Sequence, residues 1–232
     1  MNFNHEQFEK WGLSPDFLCL TGSRLYGTAL SADADYDYRG FILPPAEYLL
    51  GRSTFDQAIC EAPDYTVWSL KKFISLCEIG SPNVFELLFA EPKIKSPLAE
   101  CLLANRELFF SRKLITATLG FAKSEWMKTY QGETIANYKS ACHAVRLLSQ
   151  LEEFIKRKTI TFPRPDKHIL TAIKSGGMEP VAVKAWYDFG LESVRKIETE
   201  SDLPDVCDKK KIDDLYHSLI KSKILEFYNV AV

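Results

Sequence analysis

The sequence predicts an α+β fold, with strands and short helices in the first half of the chain and long helices in the second. In the first half, short apolar or alternating runs end at Gly or Pro, a pattern typical of strands. In the second half, apolar residues recur at helical spacing over long stretches, as in residues 211–228. We therefore predict two domains, residues 1–110 and 111–232, with one continuous unit as the alternative.

The elements of the first half follow from local pattern. Residues 17–21 are a short apolar run before Gly22, and residues 35–43 alternate and are rich in aromatic side chains until Pro44. Residues 69–79 show helical periodicity that stops at a Gly-Ser-Pro turn. In full, the prediction is strands at 17–21, 35–43, 55–59 and 65–68, and helices at 22–27, 69–79 and 83–90.

The second half is predicted to be almost wholly helical. Pro163 and Pro165 interrupt the chain, and Asp166 can cap the helix that follows. The predicted helices cover residues 106–130, 135–158, 166–176, 179–199 and 211–228.

Composition excludes several classes of protein. With 46% apolar and 26% charged residues the chain lies in the globular range, and no apolar run is long enough to span a membrane. The first residues are polar and acidic, so no signal peptide is expected and the predicted location is cytoplasmic. Six cysteines and four histidines are scattered along the chain, which fits neither a disulfide framework nor a zinc site.

The net charge of −2 hides an asymmetry between the two halves. Residues 1–110 carry 9 Lys and Arg against 15 Asp and Glu, a net of −6, whereas residues 111–232 carry 20 against 16, a net of +4. An acidic part beside a basic part suits a cation site next to a surface for a polyanion. The alternative is that both sets of charges merely keep two surfaces hydrated.

The most informative segment covers residues 21–40 and places a Gly-Ser turn before a pair of acids. Gly22 allows the backbone to approach closely, and Ser23 adds a hydroxyl at a predicted helix N-terminus, where free N–H groups favour phosphate. Asp35 and Asp37 are two residues apart on a predicted strand, so both carboxylates should point to one face. Paired carboxylates favour Mg²⁺, which also takes oxygens from substrate phosphates. The segment therefore predicts phosphoryl or nucleotidyl transfer.

A purely structural interpretation is that these acids form a hydrated edge that discourages sheet-to-sheet pairing. Tyr36, Tyr38 and Phe41 argue instead for a half-buried strand, on which uncompensated acids would be unfavourable. We therefore favour the metal site, with Asp33 left outside it.

The spacing of Gly22-Ser23, eleven further residues and Asp35-x-Asp37 resembles the signature of the DNA polymerase β-like nucleotidyltransferase superfamily. Four segments narrow the resemblance: GSRLYGTALSADADYDYRGFILPPAEYLLG, DYTVWSLKKFISLCEIGSPNVFELLF, NYKSACHAVRLL and TFPRPD. In this order they resemble the predicted nucleotidyltransferases associated with RNA ligases in bacteria and phages. The resemblance implies a small mixed β-sheet core with flanking helices, followed by an α-helical C-terminal lobe, and metal-dependent nucleotidyl transfer.

The resemblance also implies roles for the residues that match the motif. Gly22 and Ser23 would hold the β- and γ-phosphates of the NTP, and Asp35 and Asp37 would bind Mg²⁺ or Mn²⁺.

A third carboxylate on a following strand is usual in the superfamily, where it helps to activate the acceptor hydroxyl. The candidates are Asp56, Glu61 and Asp64. Asp64 is preferred because residues 65–68 form the predicted strand that leads to the next helix. It is therefore predicted to be both catalytic and metal-binding.

A stripe of polar residues lies on the predicted helix 135–158. Lys139, His143 and Arg146 fall on one side of it, opposite an apolar face. With the resemblance, this stripe is predicted to bind the triphosphate or the base of the nucleotide. The alternative is that these side chains simply hydrate the outer face of the helix.

Two arginines adjoin the acids and are further candidates for stabilising phosphate charge. Arg24 is included in the predicted nucleotide site. For Arg39, a structural pair with Asp33 or another strand acid is an equal alternative.

The leading hypothesis is an enzyme that moves an NMP from an NTP to an acceptor hydroxyl on RNA and releases pyrophosphate. RNA is preferred because of the RNA-ligase association of the family and the basic second half of the chain. One alternative is a protein acceptor, and another is a nucleotide-binding or partner-binding module without turnover. The last would be favoured if Asp64 lay far from Asp35 and Asp37.

Overall fold

The computed structural model describes residues 14–61, 64–132 and 134–230. It has the α+β architecture that the sequence predicts, with one mixed sheet followed by a helical half. The strands of this sheet are β1 (Phe17–Leu20), β2 (Asp37–Ile42), β3 (Gln57–Glu61), β4 (Asp64–Ser69) and β5 (Pro92–Lys95). Their spatial order is β3-β4-β2-β1-β5, in which β2 and β4 run parallel and all other neighbours run antiparallel.

Side chains of the central strands alternate between two buried faces of the sheet. Phe17 and Phe41 stack with ring centroids 5.4 Å apart on the face that meets the helices. Leu18 and Val67 belong to a smaller apolar cluster on the opposite face. Because side chains alternate along a strand, Asp37 lies on the same face as Phe41, which is the face towards the helices.

The helices of the first half are short and pack close to the sheet. They are α1 (Gly22–Tyr26), α2 (Ala46–Leu50), α3 (Leu70–Glu78), α4 (Pro82–Phe85) and α5 (Pro97–Ala104), with 3-10 turns at Glu86–Leu88 and Arg106–Phe109. Helix α3 begins where the Ser69 hydroxyl accepts the backbone N–H of Lys72, as expected for an N-cap. Its apolar side, including Phe73, is buried.

The helices of the second half are longer. They are α6 (Arg112–Met127), α7 (Tyr138–Arg157), α8 (Lys167–Lys174), α9 (Pro180–Glu198) and α10 (Lys209–Val230), and a hairpin of β6 (Tyr130–Gln131) and β7 (Thr134–Ile135) joins α6 to α7. Helix α7 is central, since it packs against α6, α8 and α9. None of the helices in the described ranges has both the length and the apolar character that a membrane span requires.

One hydrophobic cluster runs from the sheet into the helical half. It includes Phe41 of β2, Phe73 of α3, Phe85 of α4 and Phe154 of α7. The rings of Phe85 and Phe154 meet edge to face at 5.0 Å. The predicted boundary at residue 110 therefore falls inside a shared core, and the division into two domains stays a prediction.

The strand that carries the acids begins later than predicted. It starts at Asp37, whereas Asp35 lies in the preceding loop and is exposed. The reason is that residues 32 and 34 turn their backbone carbonyls towards the Arg24 side chain instead of pairing with a neighbouring strand. The prediction that Asp35 and Asp37 share one strand face is therefore wrong.

Helices α2 and α5 and the β6–β7 hairpin were not predicted, and two further differences have a clear physical reason. Strand β5 was not predicted, because it has four residues, begins with a proline and lies at the sheet edge, where proline is tolerated. Asp166 occupies the N-cap position of α8 but its side chain does not cap the helix. Its carboxylate instead lies 3.4 Å from Nε of the buried Arg164.

Candidate active site

Asp37 and Asp64 lie side by side at the first positions of two parallel strands. They are register partners, Asp37 on β2 and Asp64 on β4. Partners in a parallel pair direct their side chains to the same face, here the face towards the helices. The structure therefore brings together two acids that are 27 positions apart in the sequence.

The electrostatics of Asp37 show that two other carboxylates act on it. Burial raises the pKa of Asp37, and the charges of Asp64 and Asp35 raise it further, whereas Arg39 and Lys139 lower it. Asp35, although outside the strand, is thus within electrostatic reach of Asp37. Repulsion between neighbouring carboxylates is relieved by a cation.

Gly22 is fitted against the Asp37 carboxylate. Its φ is +64°, and a Cβ placed on it would lie 2.1 Å from Oδ2 of Asp37. The preceding residue, Thr21, holds the turn to the strand, because its backbone N–H donates to the Asp37 carbonyl at 2.8 Å. The Thr21 hydroxyl donates to the same oxygen at 3.2 Å. A glycine is therefore required here both by backbone conformation and by space.

The sheet register distinguishes between the three candidates for the third carboxylate. Asp64 is next to Asp37, whereas Glu61 opposes Asp64 from the outer strand β3, one strand further away. Asp56 lies at the other end of β4, where its carbonyl accepts the backbone N–H of Ser69. The geometry therefore favours Asp64 over Asp56 and Glu61.

The donor set fits a magnesium site that is completed by substrate. Within residues 14–61, 64–132 and 134–230, no three His, Cys, Asp or Glu side chains are arranged closely enough to enclose a metal by themselves. Mg²⁺ is usually bound by one or two carboxylates together with substrate phosphates and waters. The adjacent pair Asp37 and Asp64, with Asp35 in reach, offers such a partial set.

Ser23 and Arg24 follow Gly22 in the short helix α1. The backbone carbonyl of Ser23 accepts the N–H of Thr28 at 2.8 Å, which closes this turn. Arg24 does not face the acids as predicted for a phosphate ligand. Its Nε donates to the Ala34 carbonyl at 2.9 Å and its Nη2 to the Ala32 carbonyl at 2.6 Å.

Arg24 is therefore a brace for the loop that carries Asp35. Its guanidinium carbon lies 3.7 Å from the centre of the Tyr36 ring, in addition to the two carbonyl contacts. Charge-assisted hydrogen bonds of this kind fix a loop more strongly than neutral ones.

Lys139 and His143, both predicted to bind the nucleotide, have different surroundings in the structure. Lys139 lies in the first turn of α7, is exposed, and lowers the pKa of Asp37. Nδ1 of His143 lies 3.7 Å from a carboxylate oxygen of Glu125, and burial together with Arg146 lowers the pKa of His143 to about 3. His143 is therefore neutral at neutral pH and supplies a ring nitrogen rather than a positive charge.

Arg146 has a structural position that differs from the predicted cationic stripe. It is 2% exposed, and its Nη1 lies 3.0 Å from Oε2 of Glu86 and 2.7 Å from Oε1 of Gln150. Its guanidinium carbon lies 3.9 Å from the Tyr26 ring centre, and the Tyr26 hydroxyl donates to Glu86 at 2.6 Å. Removing one partner of a buried ion pair leaves the other charge buried and uncompensated, which is strongly unfavourable. Arg146 is therefore paired with Glu86 and is not exposed to a ligand.

This buried network was missed by sequence analysis, although one signal for it is present. Glu86 stands inside the apolar run Val84-Phe85-Glu86-Leu87-Leu88. A fully buried acid is almost always paired, so a cationic partner from elsewhere was to be expected.

The comparison with known families agrees with this geometry. The model of the RNA repair pathway DNA polymerase beta family matches residues 13–218. The chain belongs to this family. Membership confirms the resemblance drawn from the Gly-Ser and Asp-x-Asp spacing, and it indicates nucleotidyltransferase activity connected with RNA repair. No curated protein and no solved structure matches the chain significantly.

Proposed function

We propose that this family member is a metal-dependent nucleotidyltransferase that transfers an NMP from an NTP to a hydroxyl of RNA and releases pyrophosphate. The observation that carries the proposal is the pair Asp37 and Asp64 in register beside Gly22, where a side chain would collide with the Asp37 carboxylate. A paired carboxylate site next to a Gly-Ser turn is suited to a nucleoside triphosphate and its metal ions.

The metal site would be formed by Asp37 and Asp64 together with oxygens of the substrate, with Asp35 in electrostatic reach and Mg²⁺ or Mn²⁺ as the ion. A bound ion would neutralise triphosphate charge and favour departure of pyrophosphate. The repulsion that Asp64 and Asp35 exert on Asp37 supports this assignment, because a cation relieves it.

The protein's own groups then have separable roles. Gly22 and Ser23 would cradle the β- and γ-phosphates, and Lys139 would add positive charge from the first turn of α7. In the reaction, the acceptor oxygen bonds to the α-phosphorus while the bond to the bridging oxygen breaks, and that oxygen keeps the electron pair in pyrophosphate. Asp64 would accept the proton of the acceptor hydroxyl.

RNA as the acceptor is supported by the family, whose description places it in an RNA repair pathway. The excess of positive charge in residues 111–232 is consistent with a polyanionic partner. A cytoplasmic location is part of the same proposal.

The test is a labelling reaction with each α-labelled NTP, Mg²⁺ or Mn²⁺, and total cellular RNA. Wild type is compared with Asp37→Asn and Asp64→Asn. Asp33→Asn is the matched control, because Asp33 is an exposed acid beside the motif that lies outside the proposed metal set. We expect label in RNA with wild type and Asp33→Asn and none with the other two.

Each outcome decides a different part of the proposal. Label that survives RNase and is lost on protease treatment identifies a protein acceptor instead of RNA. Full transfer by Asp37→Asn would refute the metal site. NTP binding with no pyrophosphate release under any condition would indicate a nucleotide-binding module without turnover.

A further inference from the structure

Two arginines flank the acidic motif, and the structure distinguishes them. Arg24 is engaged by the carbonyls of Ala32 and Ala34 and by the ring of Tyr36. The Arg39 guanidinium makes no hydrogen bond or ion pair with any other described residue. Arg39 is half-buried, and its charge acts on the Asp37 carboxylate without a direct hydrogen bond to it.

Strand register places Arg39 immediately behind the paired acids. It is two residues after Asp37 on β2, so both side chains lie on the face towards the helices. Its register partners are Cys19 on β1 and Thr66 on β4. These two neighbours supply no carboxylate, so the side chain lies between the acids and the apolar core without a direct ion pair.

The groups that respond to the charge of Arg39 come from several elements around it. Its charge lowers the pKa of Asp37, of Tyr26 in α1 and of His143 in α7. The Arg39 charge therefore lies within electrostatic reach of Asp37, of α1 and of α7.

Two buried nitrogen atoms of helix α7 also have no hydrogen-bond partner in the described part of the chain. They are Nε2 of His143 and Nη2 of Arg146. Arg146 is itself almost fully buried.

We propose that Arg39 is the phosphate-binding arginine of this site and contacts the triphosphate of the NTP. The inference deepens the proposed function and rests on it. A guanidinium without a protein partner, next to the metal-binding acids, can form two parallel hydrogen bonds to a phosphate group. Arg24, by contrast, fixes the loop and does not contact the substrate.

The experiment measures binding of inorganic tripolyphosphate in the presence of Mg²⁺ by isothermal titration calorimetry. This probe carries the phosphate chemistry of every NTP and does not depend on the unidentified base. Wild type is compared with Arg39→Met and Arg39→Lys. Arg157→Met is the matched control, since Arg157 is an exposed arginine in the last turn of α7.

We expect Arg39→Met to weaken tripolyphosphate binding by about tenfold or more, the usual effect of losing a charged hydrogen-bond pair. Arg39→Lys should recover part of the affinity, and Arg157→Met should bind as wild type does. Circular dichroism of each variant establishes that the fold is retained.

Equal affinity of wild type and Arg39→Met overturns the inference, and so does the absence of measurable binding by both. Nucleotidyl transfer by wild type, measured in parallel, decides the proposed function separately. If wild type transfers label to RNA and Arg39→Met binds tripolyphosphate normally, the inference fails while the proposed function stands.

Discussion

Arg146 and Glu86 form an ion pair, with Nη1 3.0 Å from Oε2, in which both side chains are almost fully buried. The pair joins the central helix of the second half to the 3-10 turn that follows α4. Tyr26 and Gln150 complete it, since both donate to Glu86. The contact therefore links the segment after the Gly-Ser turn to the helical half through one shared carboxylate.

Replacing Arg146 alone should destabilise the protein severely. Arg146→Met leaves Glu86 buried without its cation, which we expect to lower the free energy of unfolding by about 3–5 kcal/mol. The double variant Arg146→Met/Glu86→Gln should be more stable than Arg146→Met, because it removes both charges. Urea unfolding of both variants measures the difference.

If Arg146→Met has near-normal stability but a large loss of tripolyphosphate affinity, the structural role of Arg146 is refuted. Arg146 would then be a phosphate-binding residue, as the helix stripe predicted.

Gly22→Ala should reduce activity about 10²-fold while the fold persists. The added Cβ would meet the Asp37 carboxylate, and a displacement of about 1 Å at a reacting centre costs roughly 10²-fold in rate. The positive φ adds a stability cost of about 1–2 kcal/mol. Nucleotidyl transfer and thermal unfolding are measured together.

Gly132→Ala is the matched control for this variant. Its φ of +65° is nearly the same as that of Gly22, but nothing lies within 4 Å of the added Cβ. It should show the same loss of stability with full activity. Equal activity losses in both variants would show that backbone strain, and not the position of Asp37, is responsible.

Arg24→Met should loosen the loop before β2. Loss of the carbonyl contacts should lower the free energy of local opening in residues 31–36 by about 1.5–3 kcal/mol. Amide hydrogen exchange in this segment should therefore become faster. Hydrogen exchange read by mass spectrometry tests this. Arg52→Met, at an exposed arginine, is the control, and unchanged exchange in Arg24→Met would contradict the role of Arg24 as a brace.

His143 should make stability sensitive to acid. Its pKa is about 3 in the folded protein and ordinarily about 6.5, so the unfolded chain binds the proton more readily between these values. The contribution of neutral His143 to the free energy of unfolding is therefore fully present above about pH 6.5. It falls as the pH drops towards 3, by up to roughly 1.4 kcal/mol per pH unit.

His143→Gln should flatten this dependence between about pH 6.5 and 4, as measured by chemical unfolding at several pH values. His168→Gln, at an exposed histidine of α8, should leave the slope as in wild type. If the free energy of unfolding of His143→Gln depends on pH as steeply as that of wild type, other groups cause the acid sensitivity.

The family, the α+β class and most helices could be predicted from the sequence, because they depend on local information. The interval from Gly22-Ser23 to Asp35-x-Asp37 is a spacing, and the periodicity of residues 69–79 is a property of one segment. The structure contains a helix at Leu70–Glu78, with Ser69 as its N-cap. Such features are determined by neighbours along the chain.

The partners of the charged side chains were decided by the tertiary structure alone. Asp35 and Asp37 are both acids of the Asp-x-Asp motif, yet only Asp37 lies on strand β2, where it pairs in register with Asp64 on β4. Lys139, His143 and Arg146 share a helix stripe, but one is exposed, one is neutral and one is buried against Glu86. Helical spacing fixes the direction of a side chain, whereas its charge state and accessibility depend on which distant element packs there. For that physical reason the sequence by itself determined most of the helices and strands and the family of this protein. The tertiary structure decided which charged groups lie next to the paired acids.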